Sequence, residues 1–580
     1  MKLLLSTALL AFCSCTSQAA TPNGSPAPRG ARAAPPAQMA QMARAAQRQI
    51  DGASWLEHVT VLASDEFEGR APGTRGELLT VDYLQQQFRK LGLLPGNPDG
   101  TYVQHVPTVG ISSHPTVSYS QQGSDGQNTP LVFGDDYVAW SARAERKIEL
   151  ADSELVFVGY GVQAPEFQWD DYKGADLKGK TLVMLINDPP LPDPKHPKQL
   201  DPAMFGGSAM TYYGRWAYKY EMAAKLGAAG ALIVHEAKAA SYPYEVVRNS
   251  WSRENFAIHG KTPDPDFPAV PGWLHLDRAR ELVKAGGFDF DTLKKQALSR
   301  GFKPVPLGVT LNVSELNAWR EVASHNVVAR IAGSDPVLKN QVIVYSAHWD
   351  HFGVDETLPG TRTQQIFHGA LDNASGVAAL LEIAKAYTAL PVAPKRTIVF
   401  LATTGEERGL LGAKYYTRNP LYPLEQTLVN INIHGMNVWG RTRAVELRGM
   451  GQSTADDVVV AVARAQGRSV RPDSNAESGN FYRGDQIEFA RAGVPVVYLS
   501  DSLDFVGKPA AYGREKLLRY STQQYHTVND VVDPKWDTRG AVEDMALLFQ
   551  TGYRIAQGKD APQWKPNAEF RRKAGAPPSR

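Results

Sequence analysis

Hydrophobic residues in the second half of the chain fall into short continuous runs separated by helical patterns. Apolar runs of strand character stand at residues 341–347, 396–402 and 428–433. Amphipathic helices are predicted between and after these runs, at residues 374–390, 454–466 and 540–556. Continuous apolar runs are typical of strands that are buried on both faces of a sheet. From about residue 325 to 560, the pattern therefore predicts an α/β domain with a doubly wound, mostly parallel sheet.

The first half of the chain combines helical and β-rich patterns. Amphipathic helices are predicted near residues 55–62 and 76–91. Further along, β-runs such as ELVFVGYGV and KTLVMLI are interrupted by prolines, which predicts an inserted β-rich domain. The predicted boundaries are residues 51–128 and 310–560 for the α/β domain, 129–309 for the insertion and 561–580 for a polar tail.

The amino-terminal residues have the pattern of an export signal. Lys2 is followed by an apolar stretch from Leu3 to Phe12 and then by small residues. This stretch is too short to cross a bilayer as a helix, so no membrane span is predicted there. We predict a signal peptide at residues 1–20 and a Pro/Ala-rich linker at residues 21–50. The protein would therefore be exported, to the periplasm or the extracellular space.

The cysteines bear on the type of signal. Cleavage could follow Ala19, or could precede Cys15 if the signal is that of a lipoprotein. Phe12 and Cys13 fit a lipoprotein signal poorly, which favours a soluble exported protein, with a lipid anchor at Cys15 as the alternative. Both cysteines of the chain lie in this segment, so the mature chain would contain no disulfide even though its compartment would allow one.

Overall charge excludes two classes of partner. The chain of 580 residues has 62 basic and 60 acidic side chains, which gives a formal net charge of +2. A nearly neutral protein has no global field that would attract nucleic acid or an anionic membrane surface. We therefore predict neither partner.

Five side chains able to bind metal occur near the ends of the predicted strands or in nearby loops. They are His348, Asp372, Glu407, His434 and His526. Side chains just past the carboxyl ends of parallel strands face the crevice in which open α/β sheets bind ligands. We therefore predict that these side chains converge on a centre for two metal ions, and that the protein is a hydrolase.

Single motifs of this set are weak signals. A surface HxD such as His348 and Asp350 occurs by chance, and an aspartate before a helix, such as Asp372, is an ordinary cap. The adjacent pair Glu406 and Glu407 is more informative, because one carboxylate could bind metal while its neighbour stays free as a base. Asp350 lies two residues from His348 and could hold its imidazole in one tautomer.

The ordered set of motifs is much more specific. The motifs are AHWDH, GALDNASG, TTGEERG, NINIHGMN and YHTVND. In this order they resemble the zinc exopeptidase family of leucyl and vacuolar-type aminopeptidases, which also includes glutamate carboxypeptidase. The segment LASDEFEGRAPGTRGELLTVDYLQQQFRKLGLLPG resembles the opening segment of these enzymes. The tract GRWAYKYEMAAKLGAAGALIVHEA resembles a protease-associated domain, which would be the insertion at residues 129–309.

The resemblance implies a zinc exopeptidase fold and a set of ligands for two zinc ions. His348 and His434 would bind one zinc ion, Glu407 and His526 the other, and Asp372 would bridge the two. The resemblance also implies a cis peptide bond after Asp372.

The resemblance implies roles in catalysis as well. Glu406 would be the general base that takes a proton from water and returns it to the leaving amine. Asp350 would orient His348. Tyr525 matches a family tyrosine that can donate a hydrogen bond to the developing oxyanion.

One position departs from the family pattern. Relatives usually have an aspartate where this chain has His434. Histidine is a good zinc ligand, so metal binding should be retained. The site nevertheless has one negative charge fewer, and the usual anchor for a free substrate amine is changed.

The sequence thus predicts an exported metallo-exopeptidase that acts on peptides, with aminopeptidase activity favoured. Three alternatives remain open. A carboxypeptidase or dipeptidase of the glutamate carboxypeptidase type would need arginines that bind substrate carboxylates, and Arg483 and Arg519 are candidates. The others are a glutaminyl cyclase, which uses one zinc ion, and a non-catalytic binding protein on a peptidase scaffold. Side-chain specificity and oligomeric state are not predicted.

Overall fold

The computed structural model describes residues 36–121, 128–259, 266–566 and 568–571. The predicted signal peptide at residues 1–20, with Cys15, lies outside the described residues. Among the residues described, no helix is both long and apolar enough to cross a membrane.

The helices are α1 (Pro36–Gln47), α2 (Gly52–Leu62), α3 (Arg75–Lys90), α4 (Trp216–Lys225), α5 (Ala237–Ala240), α6 (Tyr244–Trp251), α7 (Leu276–Ala285), α8 (Phe290–Gln296), α9 (Ser375–Thr388), α10 (Leu411–Arg418), α11 (Ala455–Ala465), α12 (Gln486–Arg491), α13 (Tyr512–Gln523) and α14 (Arg539–Gln557). Those predicted from periodicity in the second half correspond to α9, α11 and α14, with ends shifted by one or two residues.

The strands are β1 (Leu94–Pro95), β2 (Val103–Gln121), β3 (Thr129–Leu131), β4 (Tyr137–Ala139), β5 (Lys147–Phe157), β6 (Gln163–Ala164), β7 (Trp169–Asp170), β8 (Thr181–Leu185), β9 (Gly230–His235), β10 (Asn255–Ile258), β11 (Val270–His275), β12 (Val305–Ile331), β13 (Val342–His348), β14 (Gly353–Val354), β15 (Ile366–Phe367), β16 (Thr397–Thr403), β17 (Thr427–Asn432), β18 (Ala444–Leu447), β19 (Ser469–Pro472) and β20 (Val496–Asp501).

The carboxyl-terminal half forms the predicted doubly wound sheet. Strands β16, β13, β17 and β20 lie side by side in this order, and each neighbouring pair is parallel. The chain passes from β13 to β16 on one side and later returns to β17 on the other side of β13. Strand β13 therefore lies at the point where the strand order reverses, which is where such sheets bind ligands. The predicted α/β fold class is confirmed.

Both faces of this sheet are covered by helices, which explains the continuous apolar runs. In β13, Ile343 and Tyr345 belong to the core that also contains residues of α9 and α14. Their neighbours Val342 and Val344 point to the other face and pack with residues of α10 and α12. Because successive side chains of a strand point to opposite faces, each position must be apolar when both faces are buried.

Two long antiparallel strands connect this sheet to a second core. Strand β2 pairs with β12 from Val103 opposite Val327 to Gln121 opposite Val309. The end of β12 pairs with β16, while its beginning pairs with β5. Strands β5, β8, β9 and β11 continue the sheet and carry the second core, whose buried residues run from Val109 to Val313. The identification of this insertion as a protease-associated domain stays a prediction.

The predicted linker and the predicted polar tail both contain residues that pack against the rest of the chain. The predicted linker at residues 21–50 contains α1, in which Ala43 and Ala46 are buried and Gln47 Oε1 accepts a hydrogen bond of 2.8 Å from Gln550. Small alanine side chains give this helix an apolar stripe that composition alone does not reveal. In the predicted polar tail, Trp564 donates a hydrogen bond of 3.0 Å to the carbonyl oxygen of Gly493. Helix α1 thus occupies residues 36–47 of the predicted linker, and the tail contacts the α/β domain through Trp564.

Candidate metal centre

Three neighbouring strands bring the predicted site residues together. His348 is the last residue of β13, and Glu406 follows β16 after a turn at Gly405, whose φ of +62° suits glycine. His434 follows β17 by two residues. Because the carboxyl ends of these parallel strands meet at the same edge of the sheet, the three side chains enter one crevice, as the sequence predicts.

Asp372 lies at the centre of this crevice and contacts three histidines. Its Oδ1 lies 3.2 Å from Nε2 of His348 and 3.1 Å from Nε2 of His434. Its Oδ2 lies 3.2 Å from Nε2 of His526. One oxygen of the carboxylate thus faces two imidazole nitrogens and the other faces a third, so the two oxygens point to two separate groups of candidate ligand atoms, which is the arrangement required of a bridging ligand.

Glu407 completes the second of these groups. Its Oε2 lies 3.2 Å from Nε2 of His526, the same nitrogen that faces Asp372. His526 follows α13 and has a φ of +57°, and the ring of Tyr525 stacks on its imidazole at a centroid distance of 3.7 Å. Tyr525 itself is 39% exposed. Its role as an oxyanion donor stays a prediction.

The spacing of these atoms fits the coordination of metal ions. Two ligands on one tetrahedral zinc ion are separated by roughly 3.3 Å, given zinc–ligand bonds of about 2.0 to 2.2 Å. Nε2 of His348, both oxygens of Asp372 and Nε2 of His526 are buried and have no hydrogen-bond partner among the described residues. Buried polar atoms without partners are costly unless an ion or water satisfies them. The donor set therefore fits zinc at two positions, each with imidazole and carboxylate ligands.

Electrostatics support a site for cations. Burial disfavours the charged form of His526, yet the nearby Glu407 and Asp372 carboxylates raise its pKa to about 10. Burial likewise opposes ionisation of Asp372, but His434 and the other imidazoles hold its pKa well below the usual value. The carboxylates therefore favour positive charge at the positions where the imidazole nitrogens converge.

Glu406 differs from its neighbour Glu407. Its side chain is buried, Oε1 has no hydrogen-bond partner, and the nearest imidazole nitrogen, Nδ1 of His434, lies 3.7 Å away. Burial, with the Glu407 charge as a further cause, raises the pKa of Glu406 well above that of a free glutamate. Glu407 instead has its pKa lowered, since His526 and His351 outweigh the effect of burial. The two adjacent carboxylates are thus electrostatically distinct, as their predicted roles require.

The Asp350 carboxylate accepts hydrogen bonds from backbone N–H groups, whereas the prediction paired it with the imidazole of His348. Its Oδ1 lies 3.7 Å from Nδ1 of His348, which is longer than a hydrogen bond. Nδ1 instead lies 3.2 Å from the backbone carbonyl oxygen of Asp350. The carboxylate accepts the backbone N–H groups of Glu406 at 3.0 Å and Glu407 at 3.3 Å. Asp350 therefore fixes the turn that carries both glutamates.

Asp530 and Asn373 hold the Asp372 backbone in place. Asp530 accepts hydrogen bonds of 3.0 Å from the N–H groups of Leu371 and Asp372. The side chain of Asn373 donates to the carbonyl oxygens of His348 at 3.3 Å and Ile433 at 3.1 Å, so it connects the ends of β13 and β17. The peptide bond between Asp372 and Asn373 is cis, as the resemblance implies.

Arg70 donates hydrogen bonds to the backbone of the loops that carry the site. This fully buried arginine donates hydrogen bonds to the carbonyl oxygens of Leu62, Trp349, His368 and Gly369, at 2.6 to 2.9 Å. Burial lowers its pKa to about 10, while Asp530 and the site carboxylates act in the opposite direction. Arg70 therefore links the amino-terminal segment, which resembles the family opening, to the loops that carry the site.

Sequence reasoning missed His351, Asp530 and Arg70. His351 is buried and its Nδ1 lies 2.7 Å from Oε1 of Glu407. A second histidine three residues after His348 was a visible signal for it. Asp530 lies in a polar loop and Arg70 in a turn-rich segment, and no local pattern distinguishes either residue from a surface residue.

The two arginines proposed for a carboxypeptidase are placed differently. Arg483 lies beside the crevice, where it affects the pKa of Tyr525, and its guanidinium lies 5.8 Å from the centroid of the Tyr242 ring. Its Nε and Nη2 are buried and have no hydrogen-bond partner within the described part of the chain. Arg519 is exposed on α13. Only Arg483 is therefore a good candidate for binding a substrate carboxylate.

Comparison with known proteins agrees with the site geometry. Residues 326–550 match the model of peptidase family M28. The chain is 27% identical to Aminopeptidase NAALADL1 of Mus musculus, over 53% of this chain and 44% of that protein. It is 28% identical to a vacuolar membrane protease of Aspergillus clavatus, over 37% of this chain and 20% of that protein. It is also 26% identical to the BOS complex subunit NCLN of Canis lupus familiaris, over 37% of each.

The matches with curated relatives are partial. The chain spans less than half of the length of these three proteins. Among solved structures, an aminopeptidase from Aneurinibacillus sp. strain AM-1 is similar, with 18% identity, a TM-score of 0.48, and coverage of 92% of this chain and 100% of that chain. That structural similarity is too low to bear on chemistry. The match to peptidase family M28 covers the part of the chain that contains all five candidate metal ligands.

Proposed function

We propose that the protein is a zinc-dependent exopeptidase with two zinc ions per chain. The observation that carries this proposal is the position of Asp372. Its Oδ1 lies 3.1 to 3.2 Å from the Nε2 atoms of His434 and His348, and its Oδ2 lies 3.2 Å from Nε2 of His526. These spacings support one carboxylate shared by two metal positions.

The residues present divide into two ligand sets. His348, His434 and Oδ1 of Asp372 would hold one zinc ion, while Oδ2 of Asp372, Glu407 and His526 would hold the other. Zinc bound there would lower the pKa of a water molecule and polarise the carbonyl group of the scissile bond.

Glu406 is the residue that moves protons in this proposal. Its carboxylate is buried beside the ligands, and Oε1 is free of hydrogen bonds. Burial raises its pKa above that of a free glutamate, which favours uptake of a proton from water, and the same carboxyl group would return that proton to the leaving amine. The Asp350 carboxylate accepts the backbone N–H groups of Glu406 and Glu407 and so fixes the turn that carries them. Tyr525 would donate to the oxyanion.

Aminopeptidase action is the favoured form of this activity. A curated relative is named an aminopeptidase, and carboxylates near the metal positions would attract a protonated substrate amine. His434 replaces the aspartate that the resemblance leads one to expect, so fewer negative charges face the amine than in relatives. Amine recognition would then depend on Glu406 and Asp372.

Carboxypeptidase action is the second candidate, and one observation favours it. The guanidinium group of Arg483 has buried N–H groups without partners in the described structure and lies beside the crevice. An unpaired guanidinium is well suited to bind the carboxylate of a substrate. A substrate bound in this way would be cut near its carboxyl terminus.

The two remaining alternatives have weaker support. A glutaminyl cyclase needs one zinc ion, whereas this chain has ligands for two. A match to a subunit of the BOS complex is compatible with a binding protein. All five predicted ligand positions nevertheless hold residues able to bind metal, and their atoms lie at ligand spacing. This set favours an enzyme.

We also propose that the protein is exported. The support is the amino-terminal pattern of Lys2, an apolar stretch and small residues. Detection of the protein in the periplasm or medium, with Edman sequencing of its amino terminus, would test the proposal. A chain that keeps its original amino terminus in the cytoplasm would contradict it.

The test of the proposed activity is a substrate panel assayed with and without added zinc. It should contain aminoacyl chromogenic substrates, amino-blocked peptides with a free carboxyl terminus, and peptides blocked at both ends. Aminopeptidase action predicts cleavage of the first class only, and carboxypeptidase action predicts cleavage of the second. Cleavage of doubly blocked peptides, or of none of the three with zinc present, would contradict an exopeptidase.

A further inference from the structure

His351 is a buried histidine beside the metal centre that the proposed mechanism does not use. Its side chain is fully buried, and it forms one of the groups whose ligand atoms lie close enough to hold a metal, with Asp372 and Glu407. Its Nδ1 lies 2.7 Å from Oε1 of Glu407. His351 is therefore either a further metal ligand or a residue that positions Glu407.

Distances distinguish these two roles. The other contacts between imidazole nitrogens and carboxylate oxygens in the site, such as His526 to Asp372 and to Glu407, measure 3.2 Å. That value is close to the roughly 3.3 Å expected between two ligands of one zinc ion. A separation of 2.7 Å is instead typical of a charge-assisted hydrogen bond from N–H to a carboxylate. Glu407 thus has one oxygen at ligand spacing and the other in a hydrogen bond.

The surroundings fix the His351 ring in this position. Gly369 has a φ of +55°, and a Cβ atom there would lie 2.7 Å from the His351 ring, so only glycine allows this approach. The ring of Phe352 contacts the imidazole edge-on at a centroid distance of 4.8 Å. The backbone N–H of His351 donates to the carbonyl oxygen of Arg70 at 3.3 Å. The ring therefore has little freedom to turn away from Glu407.

We propose that His351 is a positioning residue for the second metal position, which donates its Nδ1–H to Oε1 of Glu407 and leaves Oε2 free for the ion. The inference rests on the proposed two-zinc function. It assigns Glu407 to binding through one oxygen only, directed toward His526. Loss of a residue that holds a metal ligand by a hydrogen bond typically weakens metal binding by about 10- to 100-fold.

The test compares two amide substitutions, H351N and H351Q. The side-chain nitrogen of asparagine can occupy the position of Nδ1 and keep the donor, whereas that of glutamine lies near the position of Nε2. Zinc affinities of both positions are measured by competition with chelators of graded strength. H351Q should weaken one zinc ion by about 10- to 100-fold and leave the other unchanged, while H351N should stay close to wild type.

The outcomes separate this inference from the proposed function. Equal zinc affinities in wild type, H351N and H351Q would overturn the positioning role. Loss of one zinc ion in both variants, as in Glu407→Ala, would make His351 a direct ligand and also overturn it. A wild-type protein that binds no zinc would contradict the proposed function itself.

A second measurement uses the wild-type protein, so it does not require any variant to fold. In a crystal structure of the zinc-loaded wild-type protein, Nδ1 of His351 should remain in hydrogen-bond contact with Glu407, without a bond to zinc. A His351 nitrogen at about 2.1 Å from a zinc ion would overturn the inference.

Discussion

His434 Nε2 lies 3.1 Å from Oδ1 of Asp372, the same oxygen that lies 3.2 Å from Nε2 of His348. The histidine at the position where relatives usually have aspartate therefore lies at ligand spacing. The rings of His348 and His434 meet edge-on at a centroid distance of 4.7 Å, so both can direct Nε2 toward one point. Position 434 therefore holds a side chain able to bind metal.

His434→Ala should lose one metal ion of two, because one position would keep only His348 and Asp372. His434→Asp should keep both ions and lower KM for free-amine peptides relative to amino-blocked ones, since it restores a negative charge near the substrate amine. Metal content by mass spectrometry and KM for the two substrate classes check both expectations. Two bound ions and unchanged turnover in the alanine variant would show that His434 is not a ligand.

Substitution of Glu406 should lower turnover alone, whereas substitution of Glu407 should also lower metal content. Glu406→Gln should lower kcat by about 10² or more, because the proton acceptor is removed, while metal content stays the same. Glu407→Gln should lower metal content as well, since its Oε2 lies 3.2 Å from His526 Nε2 at the second position. Turnover and zinc content are measured on the same samples. If the first variant lost metal and the second kept it, the two roles would have to be exchanged.

Asp530 should matter for metal binding although it is not a ligand. It accepts the N–H groups of Leu371 and Asp372 at 3.0 Å and so fixes the backbone that presents the bridging carboxylate. Asp530→Ala should weaken zinc binding by about 10- to 100-fold, as loss of an outer contact commonly does. Asp533→Asn, a change at an exposed residue of the same loop, is the matched control. Unchanged zinc affinity in the alanine variant would show that Asp530 does not contribute to metal binding.

The sequence predicted the sheet and the meeting of the candidate site residues at its edge for the same physical reason. Strands β13, β16 and β17 are buried at every position, so their apolar runs are continuous and easily recognised. Polar residues directly after such runs must lie at the edge of the sheet, where His348, Glu407 and His434 are found. Each motif alone was weak evidence for a metal site, and the order of the motifs along the chain made the resemblance to the zinc exopeptidase family specific.

The parts that were missed depend on tertiary contacts. Asp530 gains its role only because its loop folds against Asp372, and no local pattern encodes that approach. Asp350 was expected to orient His348, but its carboxylate binds the turn of Glu406 and Glu407, which are distant in sequence. Helix α1 was not predicted because the Pro/Ala-rich composition assigned its residues to a linker, whereas Ala43 and Ala46 are buried in the structure.

The inserted β-rich region should show a pH-dependent stability through Asp171. This carboxylate accepts hydrogen bonds from Trp169 Nε1 at 2.8 Å and from the Val162 N–H at 2.9 Å, but burial dominates and raises its pKa to about 7. Lys219 acts in the opposite direction and Asp170 in the same direction as burial. A folded-state pKa above the unfolded value of about 3.9 means that the folded state holds more protons between these pH values.

The free energy of unfolding should therefore fall as pH rises from about 4 to 7, with a slope from this group of at most about 1.4 kcal/mol per pH unit. In Asp171→Asn this component should disappear, which gives a flatter pH dependence than wild type. Asp176→Asn, which removes an exposed carboxylate of the same region, is the control. Denaturant unfolding at several pH values measures the slopes. A parallel pH dependence in wild type and Asp171→Asn would contradict the assignment.

Zinc reconstitution of the metal-free protein tests the two-zinc proposal. The chelated protein is titrated with zinc, and peptidase activity and bound zinc per chain are measured in the same samples. The two ligand sets around Asp372 predict no activity in the metal-free protein, restoration on zinc addition, and saturation at two zinc ions per chain. Full peptidase activity in protein shown to be metal-free, or failure of the chain to retain zinc, would contradict the account.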